Sequence, residues 1–359
     1  MKIRVLVIDD SALMRSVLTE IINKGDGLEV VGSAADAASA DAQIRRLEPD
    51  VVTLDVEMPG ENGLVFLERL MRERPLPVLM ISGHTERGSD NAFKALELGA
   101  VDIVSKPKFS LRGLRPQSEE ICEKIRGAFL ARLNQKKRLE LNPRTAEVVA
   151  APAPPAAGLE GNVLRERLVL VGASTGGTEA IKDFLTALPA DMPGILIVQH
   201  MPEMFTGSFA RRLDGLCRLH VKEAENGERV LPGNAYLAPG HSHLAVKRSG
   251  GSYFCELLKT EPVNRHRPSV DVLFHSAARQ VGANGLGVIL TGMGKDGAQG
   301  MLAMRQAGSW NIGQDQGSCV VYGMPREAWA IGAVDEQAPL GEIAQRVINR
   351  LRLPLRKSV

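Results

Sequence analysis

Short runs of aliphatic and β-branched residues alternate with longer amphipathic stretches along most of this chain. In the first 130 residues the runs Ile3–Ile8, Leu28–Gly32, Val51–Leu54, Val78–Ile81 and Val101–Val104 predict buried strands. Amphipathic stretches starting near Ser11, Ala37, Gly63, Gly88 and Gln117 predict helices between and after them. Five βα units in succession predict an α/β domain, a doubly wound five-stranded parallel sheet, over 1–130. A second α/β pattern begins after residue 165. There Leu168–Val171, Ile195–Gln199 and Leu286–Leu290 predict further buried strands, and a helix starts near Ala298. A second doubly wound, mainly parallel sheet is expected over 166–350. Between the two patterns, 131–165 reads as a linker. Asn134–Arg138 is polar and basic, and A-P-A-P-P-A-A-G from Ala151 favours extended chain without a packed core.

Composition narrows the class of function. The chain has 359 residues, 44% hydrophobic and 24% charged, which is ordinary for a globular protein of two domains. A net charge of +2 and 4% aromatics give no reason to expect a nucleic-acid partner. Cys122, Cys217, Cys255 and Cys319 form no C-x-x-C pair, and are expected as reduced thiols of a cytoplasmic protein. The apolar start of the chain is too short for a signal peptide, and no stretch approaches a membrane span, so no membrane insertion is expected.

The polar residues that close the predicted strands carry the chemistry. In the first domain these are Asp9-Asp10, Asp55, Ser82 and, after the fifth strand, Lys106-Pro107. Ligands of an α/β sheet bind beyond the carboxyl ends of its strands. Carboxylates gathered there repel unless a cation joins them, and hard oxygen ligands suit Mg²⁺. A lysine and a hydroxyl beside a carboxylate can hold a transferred phosphoryl group. The motifs V-L-V-I-D-D-S, T-L-D-V-E-M-P-G-E-N-G, I-S-G-H and V-S-K-P resemble a response-regulator receiver domain. That resemblance implies phosphorylation at Asp55. It also implies Mg²⁺ held by Asp10, Asp55 and the Glu57 backbone carbonyl, with Asp9 assisting through water. Ser82 and Lys106 would contact the phosphoryl group, and a histidine kinase would supply it. Ile103 departs from the pattern, because receivers usually carry a switching Phe or Tyr there.

In the second domain the run L-V-L-V-G-A-S-T-G-G fits the G-x-S-x-G turn from strand to helix around Ser174. A phosphate-binding glycine loop fits the same stretch. It is not a P-loop, because Thr178 follows Gly177 where lysine belongs. The other two strands end at His200 and, through T-G-M-G-K-D-G, at Asp296. A hydroxyl, a base and an orienting carboxylate at one sheet edge are the parts of nucleophilic acyl transfer. The order Ser, His, Asp excludes the usual α/β-hydrolase, whose acid precedes its histidine. His84, His220, His241, His243, His266 and His275 compete with His200, and Asp315 competes with Asp296. His241 and His243 would share one face of a strand as possible metal ligands. Ser269 is placed to cap a helix after the basic loop Arg265–Arg267, Asp296 could cap its own helix, and the methionines are expected in packing.

G-A-S-T-G-G-T-E-A-I, Q-H-M-P, A-E-N-G-E-R-V-L-P-G, V-N-R-H-R-P-S-V-D-V-L-F-H-S, I-L-T-G-M-G-K-D-G and Y-G-M-P-R-E-A together resemble the chemotaxis receptor methylesterase family. The resemblance implies hydrolysis of glutamate methyl esters on methylated chemoreceptors, deamidation of receptor glutamines, and no cofactor for the esterase reaction. It carries a triad onto Ser174, His200 and Asp296. The backbone amides of Thr175 and Met293 are the expected oxyanion donors. Coupling of a switch to a hydrolase by a linker leads to a further expectation. The unphosphorylated receiver would cover the Ser174 edge, and phosphorylation would weaken the contact. A transcriptional regulator would need a helix-turn-helix and a basic surface, which the second half lacks. A receptor-binding module without catalysis is the other reading, distinguished by whether methanol is released.

Overall fold

The computed structural model describes residues 2–58, 61–83, 86–107, 114–141, 159 and 161–355. The chain divides into two compact units, Met1–Leu139 and Glu140–Val359. In the first, β1 (Ile3–Ile8), α1 (Ala12–Lys24), β2 (Leu28–Ala34), α2 (Ala37–Leu47), β3 (Val51–Asp55), α3 (Gly63–Glu73), β4 (Val78–Ser82), α4 (Glu86–Glu97), β5 (Asp102–Ser105) and α5 (Leu114–Leu141) alternate as expected. The strands form one parallel sheet in the order β2-β1-β3-β4-β5. Every residue of β3 is buried, as a strand covered by helices on both faces requires. Helix α1 starts where the Ser11 hydroxyl accepts the Met14 N–H at 3.3 Å. Its Met14, Leu18, Ile21 and Ile22 then face Val5 and Val7. The sheet order reverses around β1 and β3, so their carboxyl ends flank the crevice where ligands bind.

Helix α5 continues to Leu141, past the expected domain end at Leu130 and through Asn134–Arg138. The reason is local, since the segment after Asn134 is built of strong helix formers and the next proline is Pro143. The Pro/Ala-rich stretch from Ala151 lies outside the described residues.

The second unit runs α6 (Gly161–Glu166), β6 (Leu168–Ala173), α7 (Gly177–Thr186), β7 (Gly194–Gln199), α8 (Glu203–Leu216), β8 (His220–Glu223), β9 (Asn234–Leu237), β10 (His243–Ser249), β11 (Ser252–Leu258), α9 (Val270–Gln280), β12 (Gly285–Ile289), α10 (Ala298–Gln306), β13 (Trp310–Gln314), α11 (Met324–Ala330), β14 (Glu336–Ala338) and α12 (Leu340–Arg352). A seven-stranded, wholly parallel sheet has the order β14-β13-β12-β6-β7-β9-β8. From β6 the chain first builds toward β8, then returns to build β12, β13 and β14 on the other side. The carboxyl ends of β6, β7 and β12 therefore meet at a topological switch point. Strands β10 and β11 stand apart as an antiparallel hairpin, turned at Gly250-Gly251, both with positive φ. The hairpin is tied to α9, whose Ser276 hydroxyl accepts the Val246 N–H at 2.9 Å. Leu273, Phe274 and Ala277 of α9 join Leu168, Leu170, Ile289, Met301 and Met304 in the core. No helix among the described residues is long and apolar enough to cross a membrane.

Candidate active site

Strand β6 is buried from end to end and delivers Ser174 one residue past Ala173. A Cβ at Gly172 would overlap Val270, so glycine admits the start of α9 against the strand. Gly176 has φ +76°, a left-handed conformation that glycine adopts without strain, and α7 begins at the next residue. The Ser174 amide donates to the Thr291 carbonyl at 3.0 Å, and Gly177 donates to the Ser174 carbonyl at 2.6 Å. The first bond ties the turn to the segment just after β12, and the second closes the turn itself. Gln199, the last residue of β7, adds a third tie by donating through Nε2 to the Ser174 carbonyl at 3.0 Å.

His200 follows Gln199, and its amide donates to the Ala173 carbonyl at 3.1 Å, which holds it beside the serine turn. Its Nε2 lies 2.8 Å from Asp296 Oδ2, both side chains being buried. Its Nδ1 is buried and has no hydrogen-bond partner among the described residues. Asp296 is acceptor-only when ionised, so Nε2 carries the proton and Nδ1 is the basic atom.

Asp296 gathers further donors. Oδ2 also accepts the Val270 N–H at 2.7 Å. Oδ1 accepts Asn264 Nδ2 at 2.7 Å, the Ser269 hydroxyl at 2.8 Å and the Asp271 N–H at 3.3 Å. Burial alone would raise the Asp296 pKa, but the His200 imidazole and the Asn264 and Ser269 hydrogen bonds outweigh it and hold the carboxyl well below its usual range. The Val270 and Asp271 amides open α9, so this carboxylate sits on the positive end of that helix. Asp296 therefore caps α9 and not the helix that follows it in sequence. Ser269 occupies the N-cap position of α9, but its hydroxyl serves Asp296 and makes no cap bond to its own helix.

In the first unit, one ligand oxygen from each of Asp9, Asp10 and Asp55 lies within 4.8 Å of the others. Lys106 Nζ stands 2.6 Å from Asp55 Oδ2 and 3.1 Å from Asp9 Oδ2. Burial pushes the Asp55 carboxyl up to about 6, against the pull of the Lys106 ammonium. Burial opposes charge on Lys106, yet the Asp55 and Asp9 carboxylates keep its pKa above the usual lysine value. Ser82 closes β4 fully buried, and its carbonyl accepts the Lys106 amide at 2.8 Å. An acidic cluster with Asp9 and Asp55 buried and Asp10 exposed, compensated only in part by one lysine, suits a hard divalent cation. Ile103 is buried in β5, so a rotating aromatic ring is not available at that position.

Comparison with known proteins gives the same division. Residues 5–115 match the response regulator receiver domain model, and residues 169–347 match the CheB methylesterase model. A protein-glutamate methylesterase/protein-glutamine glutaminase of Nitrosomonas europaea is 59% identical over 352 residues, 98% of this chain and 97% of that one. The chain belongs to the protein-glutamate methylesterase/protein-glutamine glutaminase family. A relative of the same name from Cupriavidus pinatubonensis is 58% identical over 351 residues, 98% of this chain and 96% of that one. Among solved structures, the catalytic domain of a Thermotoga maritima CheB methylesterase matches with a TM-score of 0.50 and 40% identity. It covers 51% of this chain and 98% of that domain.

The rival residues of this methylesterase-family chain have other engagements. His243 opens β10, accepts the Ser269 amide through Nδ1 at 3.1 Å and donates through Nε2 to the Glu261 carbonyl at 3.0 Å. Burial lowers its pKa, and with both nitrogens used it has no lone pair for a metal. His241 lies before the strand and pairs with the Ser242 hydroxyl at 2.7 Å, so the two do not form a shared-face metal pair. His220 meets Asp214 on the surface, and Asp315 caps the Ser318 turn. His84 lies outside the described residues. All four cysteines are unpaired, and Met301, Met304 and Met324 are core residues.

Two residues escaped the sequence reading. His266, treated there only as a rival base, stacks on His200 with ring centroids 3.7 Å apart and planes 13° apart. Asn264 donates to both Asp296 and Asp271. Their short loop carried no signal of this role. The link to Asp296 crosses 32 positions in sequence and exists only in the folded chain.

Proposed function

We propose that Ser174 is the nucleophile, His200 Nδ1 its general base, and Asp296 the group that orients and balances the imidazole. The observation that carries this reading is the His200–Asp296 pair at 2.8 Å, with a buried, unpartnered Nδ1, on a residue whose amide bonds the strand end that carries Ser174. The chain is then a serine hydrolase. It demethylates glutamate γ-methyl esters on chemoreceptors and deamidates glutamines there, under control of the phosphorylated receiver, for adaptation in chemotaxis.

Nδ1 removes the Ser174 proton as Oγ forms a bond to the γ-carbonyl carbon, and the C=O π pair moves onto the oxygen. When the tetrahedral centre collapses, the C–OCH₃ bond breaks and methanol leaves with the proton held on Nδ1. A water then repeats the sequence on the acyl-serine and frees the glutamate. With glutamine, ammonia takes the place of methanol. Asp296 is already ionised and loses no solvation when the imidazolium forms. Thr175 and Met293 supply the oxyanion amides in this proposal. Among the described residues neither amide donates a hydrogen bond. Gly292, just before Met293, lies so close that a Cβ there would stand 2.8 Å from the Ser174 Cβ. Each such donor is worth roughly 3 kcal/mol in the transition state.

In the receiver, Asp55 takes the phosphoryl group from a histidine kinase. Asp10, Asp55 and the Glu57 carbonyl would hold Mg²⁺, with Asp9 acting through water, and the ion would neutralise phosphoryl charge. Lys106 and Ser82 hold the transferred oxygens. The reading places the enzyme in the cytoplasm, where its four unpaired thiols stay reduced. Release of methanol from methylated receptor membranes, with and without a small phosphodonor, tests the whole. Binding of receptor without methanol release would replace it with the non-catalytic reading.

A further inference from the structure

The His200 ring is held by little of its own. One nitrogen bonds Asp296, the other bonds nothing, and a ring hinged on one hydrogen bond can turn about it. One segment that lies against the ring is Val263–His266. Val263 and His266 exchange both backbone hydrogen bonds, at 3.0 and 2.9 Å, and Asn264 and Arg265 between them have φ +52° and +70°. This is a two-residue turn of the type whose central residues are both left-handed. Its two arms reach the two members of the pair. His266 lies flat on the imidazole face at 3.7 Å. Asn264 Nδ2 reaches Asp296 Oδ1, the oxygen not used by His200, at 2.7 Å. The same amide nitrogen reaches Asp271 Oδ2 at 2.7 Å, bridging two neighbouring carboxylates that would otherwise repel. Asp271 is fixed in turn by the Gly300 amide at 2.6 Å.

We infer that this turn is a clamp on the base and its acid, with Asn264 and His266 as positioning residues that hold the His200–Asp296 pair in the orientation the reaction with Ser174 needs. The inference rests on the triad reading given above. Asn264 fixes the carboxylate, and His266 fixes the plane of the ring. Neither transfers a proton, and what His266 offers His200 is the flat face of its ring. Misplacement of a reacting group by roughly 1 Å costs on the order of 100-fold in rate, which sets the scale of the effect.

The test uses the full chain with phosphodonor, methylated receptor membranes and released methanol. Asn264→Gly keeps the left-handed backbone and removes the carboxamide. Asn264→Gly and His266→Ala should each lower kcat about 10- to 100-fold, with KM changed by less than about twofold. His266→Phe, which keeps a flat ring, should return to within about threefold of the native kcat. A rise in KM at unchanged kcat would make the loop a substrate contact and overturn the inference. So would His266→Phe as slow as His266→Ala. The proton NMR signal of His200 Nε2–H gives a readout apart from turnover. It should shift or broaden in Asn264→Gly and His266→Ala, and an unmoved signal counts against the clamp. Ser174→Ala separates the two levels. If it stays active, the triad reading fails. If it is silent while the loop variants match the native enzyme, only the clamp fails.

Discussion

His200 meets Asp296 through Nε2, at 2.8 Å, and keeps Nδ1 buried without a partner. The carboxylate thereby selects the tautomer, and the backbone bond from His200 to the Ala173 carbonyl ties the residue to the strand end that carries Ser174. In a site built this way the acid acts before any substrate arrives. It holds the ring in the form that can accept a proton.

Ser174→Ala removes the nucleophile and leaves the turn, whose hydrogen bonds use only backbone atoms of this residue. Methanol release should fall by at least about 10⁴-fold, since triad nucleophiles contribute on that scale or above. Acyl phosphate at Asp55, measured with a labelled phosphodonor, should form as in the native chain.

Asp296→Asn replaces a carboxylate that accepts from five donors by a carboxamide, whose NH₂ must face some of them. The preferred His200 tautomer is lost with it, and kcat should drop on the order of 10⁴-fold. The same carboxyl contributes to stability in a pH-dependent way. Its folded pKa is depressed, so the unfolded chain binds more protons in acid. Stability is therefore full above the ordinary carboxylate range, near pH 4, and is lost as pH falls toward the depressed value. Denaturant midpoints of the native chain should decline over that window, and Asp296→Asn should flatten that part of the decline.

Much of this was legible because buried strands announce themselves. The strands leading toward Ser174, His200 and Asp296 are almost wholly apolar, and the polar residues that follow such a strand in an α/β protein stand at the ligand edge. The edge strands were less readable. Strand β8 is four residues long with one of them buried, and β14 has three residues, too few for a period. The hairpin β10–β11 had a usable signal in Gly250-Gly251 between two strand-length segments. The clamp and the choice of Nε2 over Nδ1 had none. They depend on how a turn at 264–265 approaches a loop at 296, a relation set by tertiary packing.

Gly177 should resist substitution despite its ordinary backbone. A Cβ there would overlap Gln199 Oε1 and come within 2.7 Å of the Ala173 Cβ. Gln199 cannot move freely, because its Nε2 holds the Ser174 and His200 carbonyls. Gly177→Ala should lose about 1–3 kcal/mol by thermal or chemical unfolding. It should lose kcat beyond what that destabilisation explains, because the displaced group tethers both reacting residues. Activity retained at the native level would show that the Gln199 tether is dispensable.

The receiver gives a prediction that the catalytic unit should ignore. Lys106 satisfies Asp55 and Asp9 in part, but Asp10 completes a cluster whose negative charge exceeds what one ammonium can balance. A phosphoryl group brings further negative charge to the same edge, so transfer to Asp55 should require a divalent cation. Chelation with EDTA should abolish acyl-phosphate formation and the rise in methanol release on adding phosphodonor. Basal methanol release should be unchanged, because Ser174, His200 and Asp296 offer a proton relay that uses no metal. Asp55→Asn should reproduce both effects without chelator. Basal release that collapses in EDTA while Asp55→Asn keeps it would place a metal requirement in the esterase step and refute this assignment.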